Sequence, residues 1–555
     1  MEQPKIENNV SLHEDSSRTR DGPSCQHDDE ADVNLSYGGS GIHGIVRSPY
    51  AFGAALLASF GGFSFGFDQG LISIVLTMQQ FHLTFPEVDP KNPSYGFNTG
   101  FMTGMLELGA FVGCLGYPLL ADRYSRKLGL AVATAFFCVG SIIQTAATNY
   151  GALVAGRTIG GTGVGTLAMG APLYISEIAP PNLRGSLLVL EAITIVIGAI
   201  VAYWVTYGTR DIVGEWAFRL PFLLQMVPAL VVGIGIQFFP FSPRWLAMRH
   251  RNDNSLQALQ KLRRVEESDL RLRTEWKGIL KEVTFQERLL ARQHGSSKNI
   301  VVLELKQWAD LFRPKYFRRT LVALAIPFFQ QFSGQLRPYH RDENAEAYLV
   351  SGINAFVYYA PTFFGALGQD TEMSLILSGL PTAFEIPANP YRGRRTLAIY
   401  GGIAMGIPHV IMAGVVGKFS GKWESNPGVG WFGVALIYIY ALAYAGSYGP
   451  LAWTLPSEVF PSSKRAKGVG AATAVNWLSN FIVGIIVPEM QIQLGWGTYL
   501  FFGCFCFAAA IFAFFFVPET AGRSLEDIGA IFGNKISEDE LEVQRQVEQE
   551  VWQTP

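Results

Sequence analysis

The stretch Pro172-Leu-Tyr174-Ile-Ser176-Glu177-Ile-Ala-Pro180-Pro-Asn-Leu-Arg184-Gly185 returns in altered form as Trp453-Thr-Leu-Pro456-Ser457-Glu458-Val-Phe-Pro461-Ser-Ser-Lys-Arg465-Ala-Lys467-Gly468. Both read Ser-Glu-x-x-Pro-x-x-x-Arg, and each lies between two long, Gly-rich apolar runs. One copy alone would read as a helix end with a proline stop. Two copies at matching places in the two halves read as a duplication, which predicts two similar helix bundles in tandem.

Outward from these copies, the whole chain is apolar. It is 49% hydrophobic and 13% aromatic, with 16% charged residues against about 25% in soluble domains. Apolar runs near the ~20 residues needed to cross about 30 Å of hydrocarbon recur throughout. A polytopic all-α membrane protein follows. The net charge of -2 gives no reason to propose nucleic acid. Of the five Cys, Cys114, Cys138, Cys504 and Cys506 lie in apolar runs and Cys25 in a polar tail, so no disulfide framework or metal-ligand spacing is expected. No nucleophile–base or phosphate-loop spacing points to an enzyme, and no cofactor is expected.

Residues 1–47 are polar and acidic and read as a disordered tail, with no signal peptide ahead of the first span. Spans follow at 51–76, 97–120, 128–147, 152–175, 186–207 and 218–239, closing a first bundle over 48–243. A charged segment, 244–319, shows helical periodicity at Leu256, Leu259 and Leu262. A second bundle over 320–520 offers spans at 397–416, 430–455, 468–488 and 497–517, and 521–555 is a short acidic tail. Basic clusters (Arg123, Arg126 and Lys127; Arg184; Arg392, Arg394 and Arg395; Lys464, Arg465 and Lys467) all fall on one side if there are twelve crossings. The positive-inside rule then places both termini and the central segment in the cytoplasm.

Several motifs in fixed order resemble the sugar porter family of the major facilitator superfamily, fungal type. They are Gly66-Phe-Asp68-Gln-Gly70, Asp122-Arg-Tyr-Ser-Arg126-Lys127, Gly156-Arg157 leading into the first repeat copy, and Ser242-Pro-Arg-Trp245. Gln330-Gln331-Phe-Ser-Gly334, Asn354 to Tyr358-Tyr359, Gly393-Arg394-Arg395, Gly449-Pro450 to Glu458, Asn476-Trp477 and Pro518-Glu519-Thr520 follow. The resemblance implies the major facilitator fold, nominally twelve transmembrane helices in two pseudo-symmetric six-helix bundles. It also implies a sugar carrier working by alternating access. Two positions depart from the pattern: Phe241 stands where Glu is usual, and Pro118 where Gly is usual.

Asp68 and Arg157 are ionisable groups inside apolar spans, a costly placement that calls for a reason. Helical rise puts them at similar depth, close enough to pair. They read either as a buried structural ion pair or as a proton-coupling pair, and the resemblance favours the second. The same resemblance implies sugar-binding roles for Gln330, Gln331, Asn354, Trp453, Asn476 and Asn480, with Tyr358, Tyr359 and Trp477 nearby. Amides donate and accept, as sugar hydroxyls require, although amides can also bind helix to helix. In span five the family commonly has Gln at the position of Ala192; here the acidic neighbour Glu191 is the only polar side chain there, and it is not counted among the sugar-binding residues. At the cytoplasmic face a gate of Asp122, Arg123, Arg126, Glu177, Arg184, Arg394, Arg395, Glu458, Arg465 and Glu519 is implied.

Two segments break the pattern. Residues 335–352 insert charges, Pro338 and His340 between Gly334 and Ile353, and deleting them restores one uninterrupted span. They read as a retained intron or as a genuine re-entrant insertion. The eighth span, near 372–388, is interrupted by Pro381, Glu385 and Pro387, with Pro390 just beyond, which cannot make a stable crossing. The expected function is proton-coupled uptake of a mono- or disaccharide across the plasma membrane by a monomer, its partners being the sugar, the proton and the lipid bilayer. A proton-independent facilitator, a transport-inactive nutrient sensor and a defective product are the alternatives.

Overall fold

The computed structural model describes residues 37, 48–294, 300–333, 393–419, 425–461, 464–520, 532 and 538–553. Among these residues nine helices are long and apolar enough to cross a membrane. In the first half run α1 (Pro49–Val75), α2 (Tyr95–Arg123), α3 (Arg126–Ala146), α4 (Tyr150–Ile178), α5 (Arg184–Thr209) and α6 (Trp216–Phe238). All six coincide with spans expected from hydropathy. The Gly-rich α4 carries Arg157 and Glu177 and packs against α1, α2 and α3.

Between the halves lie α7 (Asn252–Arg263), α8 (Leu270–His294) and α9 (Ile300–Asp310). The second half holds α10 (Pro314–Phe332), α11 (Arg394–Phe419), α12 (Pro427–Val459), α13 (Arg465–Leu494) and α14 (Gly497–Phe516). A final helix, α15 (Glu538–Gln553), lies in what the sequence presents as an acidic tail. The tail 1–47 apart from Tyr37, the segment 335–352 and the eighth span near 372–388 lie outside the described residues.

Small residues set how closely the helices approach. With little hydrophobic force between helices in lipid, close backbone contact drives association. A Cβ at Gly66 would stand 1.9 Å from the Ile195 carbonyl oxygen of α5. One at Gly161 of α4 would stand 2.0 Å from the Leu106 carbonyl oxygen of α2. These crossings clamp α1 on α5 and α4 on α2, and so fix where Asp68 and Arg157 sit. The halves meet where α2 packs along α13 and where Trp477 of α13 meets Phe65 of α1 edge to face, ring centroids 5.1 Å apart.

Candidate functional site

Asp68 and Arg157 face each other at depth. Both side chains are fully buried, and Arg157 Nη2 lies 3.6 Å from Asp68 Oδ2. Arg157 Nε donates to the Met102 carbonyl at 3.1 Å. Neither carboxylate oxygen of Asp68 and neither terminal nitrogen of Arg157 makes a hydrogen bond among the described residues. The two charges are opposed without being locked, and a small shift of α1 against α4 would close or open the contact.

On the other side of the Phe65–Trp477 contact lies an amide cluster. Asn476 Nδ2 donates to Gln330 Oε1 at 2.5 Å, and Gln331 Nε2 donates to Asn476 Oδ1 at 3.2 Å. Gln330 Nε2 also reaches the carbonyls of Tyr448 and Gly449, both at 3.3 Å. All three amides are buried, as is Asn480 one turn beyond Asn476. Gln331 Oε1, Asn480 Nδ2 and Trp477 Nε1 are buried without a hydrogen-bond partner among the described residues. Buried polar atoms left open are expensive, so this cluster has both donors and acceptors available for a polyhydroxylated ligand. Trp453 is 46% exposed and stands apart from these hydrogen bonds. Asn354, Tyr358 and Tyr359 lie outside the described residues. Tyr448, fully buried beneath Gln330, belongs to the cluster and carries no sequence motif that would have singled it out.

At the face marked by the repeat copies, each motif glutamate pairs with an arginine from outside its own motif. Glu177 takes Arg126 through contacts of 3.0–3.2 Å, and Arg126 Nη1 also binds Asp122 at 2.8 Å. Glu458 takes Arg394 at 2.8 and 3.2 Å and accepts from the Thr520 hydroxyl at 2.7 Å. Glu519 accepts from the Arg394 backbone N–H at 2.7 Å, capping the start of α11. Each of these pairs joins helices of one half. Of the remaining gate residues, Arg123 and Arg184 are exposed. Arg395 reaches the Phe514 carbonyl at 2.7 Å. Arg465 has Glu282 as its opposite charge, with Arg244 and Arg184 as like-charged neighbours. At the Phe241 departure an aromatic replaces the acid: Lys127 Nζ lies 4.6 Å from the ring centroid, and the ring stacks on Trp245 at 5.6 Å. Lys127 Nζ also donates to the Gln237 and Phe239 carbonyls at 2.9 and 2.7 Å, and the cation–π contact adds to these bonds.

The central helices fasten to both halves, a feature that the sequence does not announce. Arg263 pairs with Glu275 at 2.6 Å and donates to the Ile178 and Ala179 carbonyls at 2.7 and 3.1 Å, satisfying the end of α4. Lys464 reaches Asp310 at 2.5 Å, His294 shares the same carboxylate oxygen at 2.7 Å, and Lys467 pairs with Glu304. Burial works to raise the Asp310 pKa, but Lys464 and His294 outweigh it and hold the carboxyl below its ordinary value.

The family model described as "Sugar (and other) transporter" matches residues 54–336 and 348–532. The gap in this match, 337–347, falls inside the segment 335–352. A high-affinity glucose transporter of Kluyveromyces lactis is 30% identical over 514 residues, covering 88% of this chain and 86% of that protein. The low-affinity glucose transporter HXT3 of Saccharomyces cerevisiae is 31% identical over 498 residues, 87% of this chain and 82% of that protein. Among solved structures, the proton:xylose symporter XylE bound to 6-bromo-6-deoxy-D-glucose superposes with a TM-score of 0.67 at 25% identity, covering 87% of this chain and 99% of that one. With its helices in the major facilitator fold and the family match running along both halves, the chain belongs to the sugar (and other) transporter family.

Proposed function

We propose that this chain is a proton-coupled carrier that takes up a mono- or disaccharide across the plasma membrane by alternating access, as a monomer with both termini in the cytoplasm. The observation that carries the reading is the buried, unlocked Asp68–Arg157 pair at 3.6 Å. A permanently ionised structural pair would be expected to satisfy its lone pairs and protons with hydrogen bonds; among the described residues this one makes a single such bond, from Arg157 Nε to the Met102 carbonyl, and none at the carboxylate. Protonating Asp68 removes the charge facing Arg157, and losing the proton restores it. Coupling then needs only that sugar binding and protonation bias the same equilibrium between outward- and inward-facing states.

In this account the amides of Gln330, Gln331, Asn476 and Asn480 bind sugar hydroxyls, and Trp477 supplies an apolar face. Asn354, Tyr358 and Trp453 complete the site from the second half. The pairs around Glu177 and Glu458 stabilise the cytoplasmic ends of the helices as the halves rock. Residues 335–352 are an insertion foreign to the carrier, in keeping with the interrupted family match.

The test is uptake of labelled glucose, xylose and lactose in transporter-null yeast, with and without a proton uncoupler. The full chain is compared with a version lacking residues 335–352. Accumulation of one sugar that the uncoupler abolishes is the expected result. Equilibrative uptake indifferent to the uncoupler would replace the symporter with a facilitator.

A further inference from the structure

We infer that Glu191 is the proton-exit group of the carrier: its carboxylate takes the proton that Asp68 releases and passes it to water on the side where Arg184 lies. This rests on the proton-coupled reading above. In the transfer the Asp68 O–H bond breaks and a Glu191 O–H bond forms, the proton being relayed by intervening water across the roughly 9 Å between their levels. The proton then leaves Glu191 for bulk water, and no electrons change hands.

Glu191 is 7% exposed and sits on the stripe of α5 (Leu187, Glu191, Thr194 and Gly198) that packs on α1. Opposite it α1 has Gly62. A Cβ at that position would lie 3.1 Å from Glu191 Cγ and 2.9 Å from Ile195 Cγ1, so α1 leaves a notch that the acid fills. Thr194 fixes the register by donating to the Ser59 carbonyl at 2.8 Å. Glu191 stands seven residues into α5, about 10 Å from its Arg184 end. Asp68 is six residues beyond Gly62 on α1, about 9 Å farther from that end. The two acids therefore occupy opposite halves of one helix crossing, Asp68 toward the far face and Glu191 toward the near one.

Their partners differ. Asp68 faces Arg157, whereas no cation pairs with Glu191 among the described residues. Among the described residues, the helices packed on α5 bring no cation to Glu191. On α1 the ionisable side chains are Asp68 and, at the helix start, Tyr50. On α4 Arg157 faces Asp68, Glu177 is held by Arg126, Tyr174 donates to the Pro240 carbonyl, and Tyr150, at the far end, donates to the Asn98 carbonyl. On α6 Arg219 is held by Glu215. On α5 itself Arg184 is exposed, and Tyr203 and Tyr207 lie three turns or more farther along. A carboxyl differs from its amide isostere in being able to gain and lose a proton. Carboxylates without a countercharge inside membrane helices are tolerated where they serve that purpose.

Purified full-length chain in proteoliposomes separates this role from a structural one. Net sugar uptake driven by an imposed pH gradient requires proton release, whereas exchange of labelled for unlabelled sugar at equal pH does not. For E191Q we expect net uptake to fall at least about tenfold, as losing a proton-transfer group does, with exchange little changed. We expect E191D to restore gradient-driven uptake, with a shifted dependence on internal pH. Loss of uptake and exchange together in both variants, or no change in either, would overturn the inference. If E191Q fails to fold, E191D decides alone: an unshifted internal-pH profile contradicts the role. Wild-type uptake indifferent to the gradient would overturn the proton-coupled reading itself.

Discussion

The two copies of Ser-Glu-x-x-Pro-x-x-x-Arg build the same contact in two environments. In the first half Arg126 and Glu177 are 5% and 4% exposed; in the second Arg394 and Glu458 are 25% and 26% exposed. The cause is what covers them. Trp245 donates to the Asp122 carbonyl at 3.2 Å, Met248 lies against Arg126, and Arg263 caps the end of α4 close by. The second pair is covered by Thr520 and Glu519, the short stretch after α14. One motif thus yields a desolvated charge node beneath the central helices and a half-wet one beside the chain's final span. The duplicated motif supplies the glutamate in each half, while the segments around it supply the arginine and set the energetic weight of the pair.

The comparison breaks most visibly at Glu177. E177Q leaves the Arg126 guanidinium buried with Asp122 alone, and removing one partner of a buried pair costs about 3–5 kcal/mol. A marked fall in the thermal unfolding midpoint of the purified protein is expected, and an unchanged midpoint would contradict the burial argument. Next in size is the pH response of the Asp310 contact. A carboxyl held below its ordinary pKa contributes stability that is complete above the unfolded value and lost as pH falls through the folded one. The clasp of Lys464 and His294 on Asp310 should therefore hold at neutral pH and release only on the acid side of the ordinary carboxylate range. Protease sensitivity of the central helices across pH checks this, and D310N should flatten the profile. Smaller still, E458Q at the wetter node should cost about 1 kcal/mol, and T520A no more than about that. If E458Q were as damaging as E177Q, the asymmetry between the nodes would be wrong.

How far the sequence carried the structure differs along the chain for physical reasons. The helices α1 to α6 were legible because hydrocarbon demands a fixed length of apolar residues, and helical rise placed Asp68 and Arg157 at one depth. The amide cluster of Gln330, Gln331 and Asn476 followed from motif resemblance. That Glu177 chooses Arg126 and Glu458 chooses Arg394 was not legible, since those partners meet only through the packing of separate helices. The exposed position of Trp453 and the open pairing at Arg465 were hidden for the same reason. The helix α15 did leave a signal: Val543, Val547 and Val551 recur every fourth residue and are buried against Leu280 and Phe285 of α8. Acidic composition concealed it, yet those acids pair with Lys281, Arg288 and Arg292 of α8.

Proton coupling through Asp68 is read by recording external pH while sugar is added to de-energised cells producing the full chain or D68N. Alkalinisation of the medium is expected with the wild-type chain and none with D68N, while D68N still exchanges labelled sugar. Alkalinisation that persists in D68N, or sugar entry by the wild-type chain without any proton movement, would contradict it.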